Sequence, residues 1–281
     1  MKNFITRTIS GIIFVAVIIG AILYDAKTFV ILFGIVTALA VWEFCTLVNN
    51  RREIQTNRLI STAAGLYLYF AVMSYCTGAT GIAVFIPYLI TLMYLLISEL
   101  YLHSPRALDN WTFAFASQLY IALPFALLNV LAFRMQPGTG DLAYIPAYPL
   151  ALMIFLWAND MGAYCFGSLL HRYIPYKLFP SVSPNKSWIG SIGGGVLTLA
   201  AAVVMAQFFP LMPTSKWLGM ALTVVIFGTF GDLVESMLKR NLGVKDSGSF
   251  LPGHGGVLDR FDSSLLAIPA VVLYLYTLEI V

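Results

Sequence analysis

Nine apolar segments, most of them close to 20 residues long, run through this 281-residue chain and leave little sequence for anything else. A helix needs about 20 apolar residues to cross the hydrocarbon core of a bilayer, and Gly and Pro are tolerated inside such helices. We therefore predict an all-α, polytopic membrane protein with about nine transmembrane helices. The predicted spans are 8–24, 28–47, 59–76, 82–101, 112–133, 147–169, 190–209, 217–237 and 262–280.

The scarcity of charge supports the same fold class. Charged residues make up 10% of the chain and hydrophobic residues 59%, whereas a soluble domain carries about 25% charged residues. So few charges cannot cover a water-exposed surface, and nothing in the chain indicates a nucleic-acid partner. We divide the chain into an N-terminal transmembrane region, 1–146, with about five helices, and a C-terminal region, 147–281, with two polar loops at 172–189 and 239–261.

Lysine and arginine are unevenly distributed between alternate loops. If the N-terminus is cytoplasmic, thirteen of these residues lie on the cytoplasmic side, and only Lys27, Arg134 and Lys216 lie on the other. Cytoplasmic loops of membrane proteins are enriched in Lys and Arg. The pattern therefore predicts a cytoplasmic N-terminus, two cytoplasmic polar loops and a C-terminus outside.

One stretch concentrates the charge of the chain. The 31 residues from Asp232 to Asp262 hold nine of its 29 charged side chains. Ionisable groups in or near a membrane are costly and usually functional. We therefore expect the functional site to include this stretch.

A polar cluster within the sixth predicted span contains Asn159, Asp160 and Tyr164. Asp160 and Tyr164 are four residues apart and share a helix face, and Gly167 allows a close approach on the same side. An aspartate inside a membrane helix is usually functional. The alternative is a buried Asp160 that is hydrogen-bonded to a neighbouring helix for packing.

The first polar loop contains the sequence Ser-Pro-Asn-Lys-Ser-Trp at 183–188, followed by three glycines at 193–195. Ser187 or Asn185 is suited to cap the following helix, and the free N–H groups of that helix, together with Lys186, would bind a phosphate. The alternative is an ordinary cap and a glycine run for tight helix packing. The spacing alone does not decide between these interpretations.

The charge-dense stretch begins on a helix. Asp232, Glu235, Ser236 and Lys239 recur at i, i+3, i+4 and i+7, which places them on one helix stripe. Two carboxylates and a hydroxyl offer the oxygen ligands that Mg²⁺ prefers. The stripe therefore predicts a cation site at this end of the eighth span.

Beyond this helix, Lys245-Asp246, a glycine-rich run at 252–256 and Asp259-Arg260 follow in order. A glycine-rich backbone can approach a phosphate closely and offer N–H groups. Acidic groups that collect a metal beside basic groups that neutralise phosphate are what phosphoryl or nucleotidyl transfer requires. Each part has a structural alternative. The glycine-rich run could form a simple turn, Arg240 could only mark the cytoplasmic side as loop arginines do, and His254 could make a structural hydrogen bond.

These residues carry a family resemblance. The chain from Ser236 to Asp262 is similar to the signature of the phosphatidate cytidylyltransferases, also called CDP-diacylglycerol synthases, and every position of the pattern is filled. Asn159-Asp160, the 183–188 loop and Gly231-Asp232 also resemble that family. One position departs, because Ile189 stands where the family usually has Glu, so no role of that Glu carries over.

The resemblance implies a Mg²⁺-dependent reaction in which CTP and phosphatidate give CDP-diacylglycerol and pyrophosphate, with a second cation left open. It also implies catalysis in the C-terminal region, at the bacterial inner (plasma) membrane, and by analogy a homodimer. The implied metal ligands are Asp232, Asp259, Asp160 and Asp246. The implied catalytic residues are Asp232, Asp259, Lys239, Arg260 and Lys245, and the implied substrate-binding residues are Ser236, Arg240, Asp246, Gly253, His254, Gly255, Gly256, Lys186, Ser183, Asn159 and Tyr164.

A transporter or ion channel is the competing hypothesis. Asp160 and Asp232 would then line a path through the membrane, with glycine-interrupted helices around it. The charge collects in one loop region, however, and no internal repeat is visible in the sequence, which favours the enzyme.

Overall fold

The computed structural model describes residues 2–50, 54–135, 142–170, 176–248 and 255–281, with the side chains of the first helix described from Thr8 onward. Helices dominate this part of the chain. The α-helices are α1 (Lys2–Tyr24), α2 (Ala26–Asn49), α3 (Arg58–Cys76), α4 (Ile86–Leu102), α5 (Ala107–Ala116), α6 (Leu123–Ala132), α7 (Ala147–Leu170), α8 (Trp188–Phe208), α9 (Thr214–Asn241) and α10 (Leu258–Thr277).

The predicted fold class is confirmed, but the count of nine spans is not. Within the described residues, seven helical segments are long and apolar enough to cross a membrane. The first predicted span has a shorter apolar helix, Thr8–Tyr24. The last, α10, begins with charged residues that include Asp259 and Asp262, and it is not among the seven. The protein is an integral membrane protein whose helices coincide with the predicted apolar segments.

Polar side chains fix the starts of several helices. Asp25 accepts a hydrogen bond from the Lys27 N–H before α2, and Asn57 accepts one from the Ile60 N–H before α3, both at 3.1 Å. The first N–H groups of a helix have no partner within the helix, so a capping side chain satisfies one of them. These caps set the boundaries of the apolar segments.

The fifth predicted span is not a continuous α-helix. A π-helical segment, Ser117–Ala122, joins α5 to α6, and Pro124 follows in the first turn of α6. Proline has no N–H to donate to the preceding turn, so the helix must adjust there. Buried Gln118 donates from Nε2 to the Ser61 carbonyl at 2.8 Å, which ties the interrupted span to α3.

Two short antiparallel hairpins interrupt the helical pattern. Strand β1 (Phe133–Met135) pairs with β2 (Leu142–Tyr144), and β3 (Lys177–Phe179) pairs with β4 (Ser183–Ser187). The sequence predicted only loops at these places. The second hairpin matters for function because β4 carries part of the polar sequence 183–188.

The chain forms two compact units, which are described separately. The first unit comprises Met1–Pro146 and Leu242–Phe261, and the second comprises Ala147–Asn241 and Asp262–Val281. The segment between α9 and α10 therefore groups with the first 146 residues, although the sequence division assigned it to the C-terminal region.

Aromatic side chains fill the interior of each unit. In the first unit, Phe261 packs against Phe14, Phe33 and Phe125 with ring centroids 5.3 to 6.4 Å apart. In the second unit, fully buried Trp217 contacts Tyr148 and Phe155 at 5.9 and 6.5 Å. Each unit thus has its own aromatic core.

Glycines bring α7 and α8 of the second unit into backbone contact. A Cβ on Gly162 would lie 2.7 Å from the Gly193 carbonyl oxygen and 2.8 Å from Gly194 Cα. Membrane helices associate closely where small residues meet, because the bilayer offers no hydrophobic force to hold them together. The glycine run at 193–195 therefore serves tight helix packing, one of the two interpretations that the sequence left open.

We predict that Gly162→Ala lowers the unfolding temperature of the detergent-solubilised protein. The new methyl group overlaps backbone atoms that cannot rotate away, and overpacking of this kind costs about 1–3 kcal/mol. The matched control is Gly20→Ala in α1, where nothing lies within 4 Å of the added methyl group. Equal unfolding temperatures for the two variants would contradict this packing.

Candidate active site

A cavity of about 590 Å³ opens within the second unit, lined by α7, β3, β4, α8, α9 and α10. Its volume lies within the range of small-molecule sites, about 300–1,000 Å³. Most of the predicted cluster residues of this unit line it: Asn159, Asp160, Tyr164, Lys186 and Asp232. The cavity therefore brings together predicted residues that are far apart in the sequence, from Asn159 to Asp232.

An ion pair between β4 and α9 is the central feature of the cavity. Lys186 Nζ lies 2.5 Å from Asp232 Oδ2, and both side chains are about a quarter exposed, at 24% and 29%. The same ammonium group donates to the Thr229 carbonyl at 3.5 Å, and Ser236 Oγ donates to Asp232 Oδ1 at 3.1 Å. Asp232 is therefore held by a cation and a hydroxyl, one at each carboxylate oxygen.

The predicted stripe on α9 separates into two pairs. Asp232 pairs with Ser236 and Lys186, whereas Glu235 forms its own ion pair with Lys239, whose Nζ lies 2.6 Å from Glu235 Oε2. The Glu235 side chain is fully buried and that of Lys239 is 13% exposed. Lys239 therefore neutralises a buried carboxylate in this structure. This role is structural and differs from the predicted binding of phosphate.

Several carboxyl groups lie in or near the cavity. Asp262, on the second turn of α10, lies within electrostatic range of Asp232, Glu235 and Asp160. Among the described residues, no three His, Cys, Asp or Glu side chains come close enough to hold one metal ion together. Mg²⁺ is commonly bound through one or two carboxylates, with waters and substrate phosphates as the remaining ligands. The cavity carboxylates Asp160 and Asp232 fit that kind of site.

The α7 side of the cavity combines a buried amide with an exposed ring. Asn159 is 5% exposed, and within the described part of the chain its Oδ1 has no hydrogen-bond partner. Buried polar atoms are normally satisfied, so this orphaned oxygen needs a partner from elsewhere. Tyr164 is 77% exposed and also lines the cavity, on the face shared with Asp160 that the spacing predicted.

The β3–β4 hairpin adds a second cation to the cavity. Lys177 on β3 faces Ser187 in the strand register, and both residues line the cavity with Lys186. Ser187 caps α8 by accepting from the Gly190 N–H at 3.2 Å, which confirms one of the two predicted caps. Ser183 lies at the start of β4 and is not among the cavity residues. The sequence did not predict Lys177 as a site residue, because nothing near it distinguishes it from the other Lys and Arg residues of the cytoplasmic loops.

The remaining predicted residues lie in the first unit or on exposed surfaces. Arg240, Lys245, Asp246 and Arg260 are exposed. Asp259 Oδ2 accepts hydrogen bonds from the N–H groups of Ser247 and Gly256, at 2.9 and 2.8 Å. Gly253 and His254 lie outside the described residues. The roles of all these residues stay predictions.

Sequence reasoning did not single out Glu43, a carboxylate on α2 that organises the segment after α9. It accepts hydrogen bonds from the N–H groups of Val257 and Leu258, at 2.8 and 3.1 Å, and from the Ser247 hydroxyl. The signal that would have found it is the one that identified Asp160, namely an ionisable residue inside a long apolar span.

The sequence is similar to that of known cytidylyltransferases over nearly its full length. The model of the family described as "Cytidylyltransferase family" matches residues 5–278. A phosphatidate cytidylyltransferase of Staphylococcus haemolyticus is 32% identical over 265 residues, covering 94% of this chain and 95% of that protein. A phosphatidate cytidylyltransferase of Staphylococcus epidermidis is 46% identical over 124 residues, covering 43% of this chain and 46% of that protein.

We predict that Lys239→Met destabilises the protein, because it leaves the fully buried Glu235 without its cation. Breaking a buried ion pair by removing one partner costs about 3–5 kcal/mol, while replacing both partners is often neutral. Glu235→Gln/Lys239→Met should therefore recover most of the lost unfolding temperature in detergent. A double variant less stable than Lys239→Met would contradict a structural role for the pair.

Proposed function

Because the chain belongs to the cytidylyltransferase family, we propose that it transfers the cytidylyl group of CTP to phosphatidate and releases CDP-diacylglycerol and pyrophosphate. The observation that supports the proposal is the cavity in the second unit. Two carboxylates and two lysines line it, beside the exposed Tyr164 of α7. The family assignment favours this enzyme over the transporter or channel alternative.

The proposed reaction needs no protein nucleophile. The phosphate monoester of phosphatidate has its second pKa near about 6, so it is largely deprotonated at neutral pH. One of its oxygens attacks the α-phosphorus of CTP, and the bond from that phosphorus to the oxygen bridging to the β-phosphorus breaks. Pyrophosphate leaves with that electron pair. The protein has to hold the two phosphates in line and stabilise their charge.

Lysines of the hairpin supply positive charge for this step. Lys186 and Lys177 both line the cavity, and Lys186 is bound to Asp232 in the structure. We assign Lys186 a change of partner, from the Asp232 carboxylate to a substrate phosphate, when CTP binds. Lysine suits this role because its ammonium group is a compact charge on a flexible stem.

Carboxylates of the same cavity are the proposed site of Mg²⁺. Asp232 and Asp160 would hold it, with Asp262 within electrostatic range. When bound, the ion would neutralise charge on the triphosphate and help pyrophosphate to leave. Asp259 and Asp246, which the resemblance also implied, belong to the first unit, and one oxygen of Asp259 already accepts two backbone hydrogen bonds.

The lipid substrate would reach the cavity without leaving the bilayer. Tyr164 lines the cavity and is 77% exposed, and Trp188, next to cavity residue Ser187, is 55% exposed. Amphipathic aromatic rings of this kind are typical of the level where headgroups meet hydrocarbon. We propose that the phosphate of phosphatidate enters the cavity beside Tyr164 while its acyl chains stay among the lipids.

The cellular setting completes the proposal. We place the N-terminus and the cavity on the cytoplasmic side of the bacterial inner membrane, where CTP is available, and the C-terminus outside. A homodimer and a second cation beside Mg²⁺ remain part of the hypothesis.

The proposal predicts that purified protein in phosphatidate-containing micelles converts labelled CTP into CDP-diacylglycerol, and that EDTA stops the conversion. Asp232→Asn should lower the rate by about 100-fold or more, as losses of one charge-stabilising group do elsewhere. Asp109→Asn is the matched control, because Asp109 is a 41%-exposed carboxylate paired with Arg106 in the first unit. Absence of lipid product from folded wild-type protein would overturn the proposal.

A further inference from the structure

The carboxylate of Glu43 lies at the junction of α2 and the segment that follows α9. Glu43 is the only acidic residue of α2, whose sequence is otherwise typical of a plain membrane span. A carboxylate in such a helix is expensive unless it is paired or hydrogen-bonded. The hydrogen-bond partners of the Glu43 carboxylate therefore indicate its role.

Among the described residues, the three donors to Glu43 come from the two ends of the segment 247–258. The Ser247 hydroxyl donates from the beginning, and the N–H groups of Val257 and Leu258 donate from the end, at 2.8 and 3.1 Å. The two N–H groups belong to the start of α10, where a helix has unpaired donors and favours negative charge. One side chain of α2 thus holds Ser247 and caps the start of α10.

Glycines on both sides make room for this carboxylate. A Cβ on Gly248 would lie 2.8 Å from the Glu43 carboxylate, and a Cβ on Gly256 would overlap Glu43 Oε1. Neither glycine has a positive φ, so the requirement is one of space rather than backbone conformation. Gly256 belongs to the glycine-rich run for which phosphate binding was predicted, and here its lack of a side chain makes room for Glu43, as does that of Gly248.

Asp259 is a second carboxylate that binds both ends of the same segment. Asp259 Oδ2 accepts from the N–H groups of Ser247 and Gly256, so Glu43 and Asp259 together hold Ser247 at one end and residues 256–258 at the other. Lys245 and Asp246 come just before Ser247 in the sequence, and Asp259 and Arg260 come just after Leu258. These are residues of the family-like sequence 236–262.

We infer that Glu43 is a positioning residue for cytidylyl transfer, one that holds Ser247 through its hydroxyl and Val257 and Leu258 through their N–H groups and does not touch the substrates. The inference rests on the proposed function. The inference makes Glu43, which lies more than 190 positions before the family-like sequence 236–262, a requirement for activity. Misplacement by about 1 Å of groups that position substrate can cost about 100-fold in rate.

The test compares Glu43→Gln with Glu99→Gln. Glutamine keeps the shape of the side chain but offers a single acceptor oxygen to three donors, so the segment loses part of its anchor. Glu99 is a matched control: it is 7% exposed in α4, and it accepts a hydrogen bond from Asn110 Nδ2 at 2.9 Å, which Gln can still accept. Both variants are assayed in micelles with CTP, Mg²⁺ and phosphatidate, alongside hydrogen–deuterium exchange.

For Glu43→Gln we expect turnover at saturating substrates to fall about tenfold or more, whereas Glu99→Gln stays within about twofold of wild type. Peptides containing Val257 and Leu258 should exchange about tenfold faster in Glu43→Gln, because hydrogen bonds to a charged acceptor are lost. Peptides of α7 and α8 should exchange as in wild type, which a general loss of folding would not give.

Three outcomes would overturn the inference: wild-type turnover in Glu43→Gln, lost turnover with unchanged exchange at Val257 and Leu258, or accelerated exchange throughout the protein. If Glu43→Gln does not fold, Gly248→Ala tests the same contact. It should lower turnover and speed exchange at Val257 and Leu258, because the added methyl group displaces the Glu43 carboxylate. Wild-type turnover in Gly248→Ala with accelerated exchange at Val257 and Leu258 would overturn the inference as well. Inactive wild-type protein, in contrast, would count against the proposed function, and the exchange measurement would still report on the anchor.

Discussion

A charge inside a membrane protein has to be matched by another charge or by hydrogen bonds, and the ion pair between Lys186 and Asp232 shows how this chain meets that constraint. Glu235 is likewise matched by Lys239 one helical turn away. Each of these two carboxylates of α9 therefore has its own lysine. Binding a metal-bound nucleotide at such a site means exchanging partners, so Asp232 can accept a cation when Lys186 turns to a phosphate.

Close backbone approach is the second constraint, and it appears in both units. In the second unit, Gly162 and Gly193 let α7 and α8 touch through their backbones. In the first unit, the absence of side chains at Gly248 and Gly256 lets their backbone lie against the Glu43 carboxylate. The same residue type thus serves helix packing in one unit and the anchoring of a loop in the other. Glycine-rich sequence alone does not distinguish these uses from phosphate binding.

The sequence predicted the parts of the structure that depend on local periodicity. Apolar segments placed the helices, the four-residue spacing placed Asp160 and Tyr164 on one cavity face, and the polar sequence before α8 indicated Ser187 as one of two candidate caps. These features depend on neighbouring residues along one helix, which a sequence pattern records directly.

The parts that depend on distant pairing were not predictable in the same way. Spacing on α9 put Glu235 and Lys239 with Asp232, but it could not show that Lys186 of a hairpin would take Asp232 and leave Glu235 to Lys239. The contact between Glu43 and Val257 joins residues 214 positions apart, and no local pattern encodes it. The count of nine spans is not confirmed, because α10 begins with charged residues and is not among the seven helical segments that are long and apolar enough to cross a membrane within the described residues.

The central claim is that the cavity around Asp232 binds CTP together with Mg²⁺, and equilibrium binding of labelled CTP to the purified protein without phosphatidate tests it most directly. The account predicts saturable binding with Mg²⁺ that weakens about tenfold or more when EDTA is added, and a similar weakening in Asp232→Asn and in Lys186→Met. CTP binding that is equally tight with and without Mg²⁺, and unchanged in both variants, would contradict it.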